Sequence, residues 1–131
     1  MNTRASDRFA VLQLSGCAGC EVALLNAGEW VDEHELAYMG LVISAYDVPP
    51  VDTLLVSGGV RTDEDLHKLR LAVRQARRVV AVGTCAISGG VASLGNRDEV
   101  REVFIAEEER RHVPRLLPRC RPIDTVVDVD R

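Results

Sequence analysis

The residues of this 131-residue chain best suited to chemistry are its four cysteines, Cys17, Cys20, Cys85 and Cys120. Cys17 and Cys20 stand in a Cys-x-x-Cys arrangement within the run Ser-Gly-Cys-Ala-Gly-Cys, and Cys85 follows a glycine and a threonine. In a reducing compartment, cysteines at motif spacing are metal ligands or redox groups more often than structural disulfides. The cysteines therefore indicate a metal site or a redox dithiol.

Glycines surround three of these cysteines, with Gly16 and Gly19 beside the first pair and Gly83 just before Cys85. Glycine lets the backbone approach a bound group closely. A cubane of iron and sulfide needs that room, and its sulfides need backbone N–H donors. The start of a helix after Cys20 would supply free amides and a positive dipole end, which lowers the pKa of a thiol and favours an anionic cluster.

Other interpretations of the cysteines stay open on spacing alone. A single Cys-x-x-Cys at a helix start also suits a thioredoxin-like dithiol. A zinc site needs four cysteine or histidine ligands, usually in two close pairs, and the three histidines lie on helical or polar stretches. Cys120, taken by itself, is typical of a buried thiol that packs as a small apolar side chain.

Composition excludes several classes of function. The chain carries 16 basic and 20 acidic residues, for a net charge of −4, and only 4% aromatic residues. It therefore has neither a basic footprint nor a stacking platform for nucleic acid. No G-x-G-x-x-G follows the first predicted strand, and the single lysine, Lys68, lies in a predicted helix, which argues against nucleotide binding.

The sequence predicts neither a transmembrane span nor a secretory signal. No apolar run approaches the roughly 20 residues that cross a bilayer. Residues 1–8 are short and polar and lack the apolar stretch of a secretory signal. We expect a cytoplasmic protein without a transmembrane segment.

The segments that must position the cysteines alternate between strand and helix. Apolar runs predict strands at Phe9–Leu14, Leu36–Ile43, Asp52–Ser57, Val79–Val82 and Thr125–Val129. Helices are predicted over Glu21–Glu33, Asp63–Arg78 and Arg97–Arg111. Gly28 is a weak point of the first helix, and Thr62 and Asp65 cap the second. The pattern predicts a single α/β domain over residues 1–131, flavodoxin-like, with three layers and a central parallel sheet.

The order of these elements brings the first three cysteines together. Cys17 and Cys20 follow the first strand, and Cys85 follows the fourth. In a doubly wound sheet, the C-terminal ends of all parallel strands meet at one edge, where ligands bind. We expect all three thiols at that edge.

The segment Leu14–Glu21 (LSGCAGCE) resembles the first cluster motif of nickel–iron hydrogenase small subunits. Gly83–Ala86 (GTCA), with the Gly-Gly pair at 89–90, resembles the second. The same family includes the related cluster subunit of respiratory complex I, but that branch has adjacent cysteines in the first motif. The two-residue spacing here favours the hydrogenase side, and the resemblance covers nearly the whole chain.

The resemblance implies a proximal [4Fe–4S] cluster with Cys17, Cys20 and Cys85 as thiolate ligands. Glu21 and Thr84 would flank the cluster, although Glu21 equally suits a first-turn acid that interacts with the helix dipole. The chain would relay electrons between a large subunit with a nickel–iron centre and an acceptor subunit. The acceptor would be heterodisulfide reductase, coenzyme F420 or a nicotinamide module, as in short cytoplasmic members of the family.

The family has a fourth cysteine in a Pro-Gly-Cys-Pro-Pro segment. The segment at 118–122 (PRCRP) matches its outer prolines, which would make Cys120 the fourth ligand. In an alternative alignment, residues 122–130 (PIDTVVDVD) precede the cysteine motif, as in cytoplasmic members. We favour the second alignment, in which the chain is incomplete, the fourth ligand follows Arg131 and Cys120 is a bystander between a surface segment and a strand.

Two functions from other classes stay open beside this one. The chain could be a flavodoxin-like binding or structural module without a cluster. It could also be an oxidoreductase that uses Cys17 and Cys20 as a dithiol. A cluster in the loops of so small a domain would need a partner to cover it, so the first function predicts an apolar interface around Cys17 and Cys85.

Overall fold

The computed structural model describes residues 7–100 and 116–130. The strands are β1 (Arg8–Gln13), β2 (Glu35–Met39), β3 (Val51–Ser57), β4 (Val60–Thr62), β5 (Ala76–Val82) and β6 (Leu116–Arg121). The helices are α1 (Gly19–Leu25), α2 (Gly28–Glu33), α3 (Asp63–Val73) and α4 (Gly83–Ser88). Short 3₁₀ helices cover Val91–Asn96 and Ile123–Thr125.

A parallel sheet with the strand order β2-β1-β3-β5 forms the centre of the fold. Its inner strands are buried on both faces, which is why β1 is an unbroken apolar run from Phe9 to Leu12 rather than an alternating one. The predicted α/β class with a central parallel sheet is confirmed. β3 lies between β1 and β5, and this places the segments that follow β1 and β5 on either side of its end.

Helices cover both faces of this sheet. On one face, Leu54 and Val56 of β3 pack with Leu69 of α3. On the other face, Phe9 and neighbouring apolar side chains pack with α1 and α2, and the rings of Phe9 and Trp30 meet edge to face with centroids 4.4 Å apart. The result is the predicted three-layer arrangement.

Two predicted elements of the first half are shorter than expected. The helix over Glu21–Glu33 is two helices, because the chain turns at Asn26 and Ala27 just before Gly28. The strand over Leu36–Ile43 ends at Met39, whose carbonyl accepts backbone hydrogen bonds from residues 42 and 43 at 3.0 and 2.8 Å. A tight turn therefore replaces the second half of this predicted strand.

The predicted cap of α3 is confirmed, but its predicted end is wrong. Thr62 Oγ1 accepts from the Asp65 amide at 3.1 Å, and Asp65 Oδ2 accepts from the Thr62 amide at 3.1 Å. The helix ends at Val73 rather than Arg78 because the Gln75 carbonyl accepts the first amide of β3 at 2.9 Å. This bond starts β5 at Ala76, so that the last two arginines of the predicted helix belong to a strand.

The C-terminal part of the fold differs most from expectation. The predicted strand over Thr125–Val129 is not formed; instead, buried Ile123 begins a 3₁₀ turn, and the Asp130 amide donates to the Val79 carbonyl at 2.7 Å. The strand of this region is β6, which pairs antiparallel with β4. Most of the predicted helix Arg97–Arg111 lies outside the described residues. Within residues 7–100 and 116–130, no helix is long and apolar enough to cross a membrane.

Candidate functional site

The first cysteine loop, residues 15–20, joins β1 to α1 at the C-terminal edge of the sheet. Its start is fixed to the end of β3, because Ser15 and Gly59 exchange two backbone hydrogen bonds of 3.1 and 2.9 Å. Ala18 then takes a left-handed conformation at φ 65° and ψ 4°, which turns the chain into α1. The loop thereby leaves Cys17 exposed and places half-buried Cys20 in the first turn of α1.

Cys85 lies at the same edge, in the first turn of α4. This helix begins at Gly83, directly after β5 ends at Val82. Since β1 and β5 both pair with β3, the first cysteine loop and the start of α4 flank the end of β3. The predicted meeting of Cys17, Cys20 and Cys85 at one edge is what the structure shows.

Contacts between the two segments are reciprocal. The Cys20 sulfur lies against Gly83, where a Cβ atom would collide with it, and the φ of 84° at Gly83 also favours glycine. In the other direction, a Cβ atom on Gly16 would lie 3.7 Å from Cys85 Sγ. Each segment therefore supplies a cysteine that packs against a glycine of the other.

Two more glycines lie against sulfur atoms of the site, one at Cys17 and one at Cys85. A Cβ atom on Gly19 would lie 3.3 Å from Cys17 Sγ, and one on Gly90 would lie 2.7 Å from Cys85 Sγ. Side chains at these positions would fill the space around the thiols. The residues present thus fit an iron–sulfur cluster, which needs thiolate ligands and a closely approaching backbone, and Cys17, Cys20 and Cys85 would hold it.

The electrostatics of the thiols differ from the sequence-based expectation. Burial raises the pKa of the Cys20 thiol, and negative charge on Glu21, Cys17 and Cys85 raises it further. The predicted lowering by the helix start is therefore wrong for the protein without a bound cation. Coordination to iron would deprotonate the thiol and so offset the raised pKa of Cys20.

Among the described residues, no three cysteine, histidine, aspartate or glutamate side chains are gathered closely enough to hold one ion. A structural zinc site has four such ligands, so the zinc alternative gains no support from the described residues.

Glu21 and Thr84, the two flanking residues, have different environments. Glu21 is 2% exposed, Ser57 Oγ donates a hydrogen bond to its Oε1, and its Oε2 has no partner among the described residues. Glu21 also lies in the first turn of α1, next to Cys20. This position is compatible with both predicted roles, a residue that flanks the cluster and an acid that interacts with the helix dipole. Thr84 is exposed, and its carbonyl accepts from Ser88 Oγ at 2.9 Å.

Cys120 lies within β6 rather than before a strand, and it is only 3% exposed. Its Sγ is 4.0 Å from the Gly89 carbonyl oxygen, and its backbone amide donates to Asn96 Oδ1 at 2.7 Å. Burial raises the pKa of this thiol, with smaller increases from Asp65 and Cys85 and a decrease from Arg61. The thiol form of Cys120 is therefore favoured in the protein without a bound cation, as it is for Cys20.

The sequence interpretation missed the role of the last residue of β3 and of the two glycines that follow it. Ser57 bonds to Glu21, Gly58 packs against the backbone of Leu14 and Ser15, and a Cβ atom on Gly59 would lie 2.9 Å from Cys120 Sγ. The strand order contains the signal that would have found them. In a sheet with β3 between β1 and β5, the end of β3 must lie between the two cysteine segments.

Comparison with known proteins identifies the family and agrees with the fold. Residues 17–131 match the family model described as the NADH ubiquinone oxidoreductase 20 Kd subunit. A chain in the crystal structure of an NAD⁺-reducing [NiFe]-hydrogenase in the H₂-reduced state is 31% identical, with a TM-score of 0.77 over 96% of this chain and 80% of that one.

Several relatives are named as hydrogenase subunits. A subunit of the vhu F420-non-reducing hydrogenase of Methanococcus voltae is 28% identical over 94% of this chain and 48% of its own length. The iron-sulfur subunit of an F420-non-reducing hydrogenase of Archaeoglobus profundus is 27% identical over 94% of this chain and 49% of its own. The chain spans about half the length of these relatives. With the match over residues 17–131, the chain belongs to the family of the NADH ubiquinone oxidoreductase 20 Kd subunit.

Proposed function

We propose that this chain is the electron-transfer subunit of a cytoplasmic nickel–iron hydrogenase, and that Cys17, Cys20 and Cys85 hold its proximal [4Fe–4S] cluster. The observation that carries the proposal is the reciprocal packing of Cys20 on Gly83 and of Cys85 beside Gly16. The names of the relatives, one of them an iron-sulfur subunit, support the same assignment. When bound, such a cluster supplies one-electron transfer.

The chain's own residues have holding and insulating roles in this proposal. The three cysteines would bind the iron of the cluster, and the glycines at 16, 19, 83 and 90 keep space open around the sulfurs. Ser57 orients the Glu21 carboxylate beside Cys20. Apolar side chains lie beside Cys20 and Glu21 in the first turn of α1, namely Leu24, Leu55 and Val82. These side chains limit the approach of water to the site.

Cys120 is not a ligand in this proposal. Its thiol is buried and directed at the Gly89 carbonyl. A thiolate at that position would face a carbonyl oxygen rather than a cation. The fourth ligand is therefore a group other than the four cysteines of this sequence.

An apolar surface beside Cys85 supports a partner at this edge. Ile87 is 60% exposed, Val91 is 77% exposed and Leu94 is 60% exposed, all within ten residues of Cys85. Exposed aliphatic side chains grouped next to a site are typical of a surface that another protein covers. We assign this surface to the large subunit with the nickel–iron centre; an acceptor subunit would then receive the electrons.

Anaerobic reconstitution with iron and sulfide tests the proposal. We expect near-equal amounts of bound iron and sulfide and a broad visible absorption band, both lost in Cys17→Ser and Cys85→Ser. Colourless protein that binds zinc instead would overturn the proposal. Insulin reduction that needs Cys17 and Cys20 but not Cys85 would establish the dithiol alternative, and unchanged partner binding without iron would establish the structural module.

A further inference from the structure

One oxygen atom of Asp65 joins three parts of the fold. Its Oδ2 accepts hydrogen bonds from Ser15 Oγ at 2.6 Å, from the Arg61 amide at 3.0 Å and from the Thr62 amide at 3.1 Å. The two amide bonds belong to β4 and the cap of α3. The bond from Ser15 reaches a residue fifty positions earlier in the chain.

That third bond ends on the loop that carries the first two cysteines. Ser15 is followed by Gly16, which lies beside Cys85 Sγ, and then by Cys17. The backbone of Ser15 is held by Gly59, and its side chain is held by Asp65. The carboxylate therefore fixes the first residue of the loop that carries Cys17 and Cys20.

We infer that Asp65 is a positioning residue for the cysteine site, acting through Ser15 to set the course of the first cysteine loop. The inference rests on the proposed function for its reference to a bound cluster. Asp65 touches no cysteine in this role. A hydrogen bond from a hydroxyl to a carboxylate is charge-assisted and directional, so it restrains the loop more tightly than an uncharged contact.

The competing explanation is that Asp65 only caps α3. Two variants separate the roles because the bonds are distinct. Ser15→Ala removes the bond to the loop and leaves both amide bonds of Asp65 in place. Thr62→Ala removes the bond from the Asp65 amide to Thr62 Oγ1, weakens the cap and leaves the Ser15–Asp65 bond. Ser15→Thr keeps a hydroxyl donor and is the conservative control.

Three readouts follow the loop in these variants. In the reconstituted protein, the rate of cluster loss to an iron chelator and the electron paramagnetic resonance spectrum of the reduced cluster report on ligand geometry. In the protein without iron, hydrogen–deuterium exchange of residues 15–20 reports on the loop alone. We expect Ser15→Ala to lose the cluster on the order of tenfold faster, with an altered spectrum and faster exchange.

Thr62→Ala should lower the melting temperature yet keep the wild-type spectrum and loop exchange, and Ser15→Thr should behave as wild type. Unchanged exchange and an unchanged spectrum in Ser15→Ala would overturn the inference, as would equal effects in Ser15→Ala and Thr62→Ala. Wild-type protein that binds no iron would overturn the proposed function instead. The exchange measurement would still decide whether Asp65 and Ser15 order the loop.

Discussion

Ser57 Oγ donates a hydrogen bond to Glu21 Oε1, and both residues are buried, at 4% and 2% exposure. The bond joins the end of β3 to the first turn of α1, between the two cysteine segments. It is the one partner that the described residues give this carboxylate, since Oε2 has none among them. Burial of a polar group without a partner is costly, so this bond stabilises the folded protein at the C-terminal edge of the sheet.

Ser57→Ala should therefore destabilise the protein markedly. The variant leaves the Glu21 carboxylate buried without its donor, which costs about 1.5–3 kcal/mol of unfolding free energy. Ser88→Ala is the matched control, because it removes the exposed hydroxyl that donates to the Thr84 carbonyl, and a change within about 0.5 kcal/mol is expected. Urea denaturation of the iron-free variants measures both, and equal effects would contradict the prediction.

Gly83→Ala should disrupt the site, whereas Gly28→Ala should not. A Cβ atom at Gly83 would meet the Cys20 sulfur at a backbone conformation that alanine rarely adopts. Nothing lies within 4 Å of a Cβ atom at Gly28, which begins α2, so alanine there should add up to about 1 kcal/mol of stability. Thermal melting and iron content report the two effects. A Gly83→Ala protein that binds iron as wild type does would show that the contact is not needed.

Ala18→Gly should be neutral or stabilising by up to about 1 kcal/mol. Ala18 adopts φ 65°, a left-handed conformation that is unfavourable for a residue with a Cβ atom. Glycine removes that strain but adds freedom to the unfolded chain. Ala23→Gly, inside α1, is the control and should cost about 1 kcal/mol. A large loss of stability in Ala18→Gly, measured by urea denaturation, would show that the methyl group contributes to packing.

Cys120→Ser should leave the visible spectrum of a reconstituted hydrogenase complex unchanged, in contrast to Cys17→Ser. The Cys120 thiol donates to a backbone carbonyl, and serine preserves a donor at that position. Iron analysis of the two variants, purified side by side, makes the comparison. Loss of iron from Cys120→Ser at the level of Cys17→Ser would place Cys120 among the ligands.

Alkaline pH should destabilise the iron-free protein. Burial raises the folded-state pKa of Cys20 and Cys120, so the folded chain retains protons that the unfolded chain releases. This stabilisation is fully present below the unfolded pKa of about 8.5 and is lost as pH rises through the raised folded pKa. Urea denaturation between about pH 7.5 and 9.5 should show a free energy of unfolding that begins to fall near about pH 8.5, with a shallower fall in Cys120→Ala. A flat profile in the wild type would contradict the prediction.

The sequence predicted correctly those features that depend on local pattern or on the general rules of parallel sheets. The apolar run of β1, the cap at Thr62 and the placement of Cys85 after a parallel strand each depend on neighbouring residues or on a general rule for parallel sheets. Those features predict the fold class and bring the three thiols to one edge. They did not predict the raised pKa of Cys20, which depends on burial created by the assembled fold.

The features that were missed depend on pairing between distant segments. β4 has three residues, and its partner β6 contains Pro118 and two arginines, so neither has the pattern of a strand. Their pairing joins segments that are far apart in the sequence, and β6 lies beside Gly59, where a Cβ atom would be 3.5 Å from the Arg121 carbonyl oxygen. The run Thr125–Val129 has strong strand character, yet Ile123 is buried and starts a turn there instead.

The reciprocal packing of Cys20 and Cys85 has a consequence for the order of events during synthesis. Cys17 and Cys20 are synthesised before β3 and β5, and at ordinary elongation rates Cys85 follows about 3–13 s later. Parallel strands pair only after their crossover connections are complete, so the edge cannot form on the nascent first half. Through that interval the early thiols are unprotected against oxidation and stray metals. Under the proposed function, loading with iron and sulfide must therefore wait until β5 has docked, and assembly factors would act on a chain that is already folded.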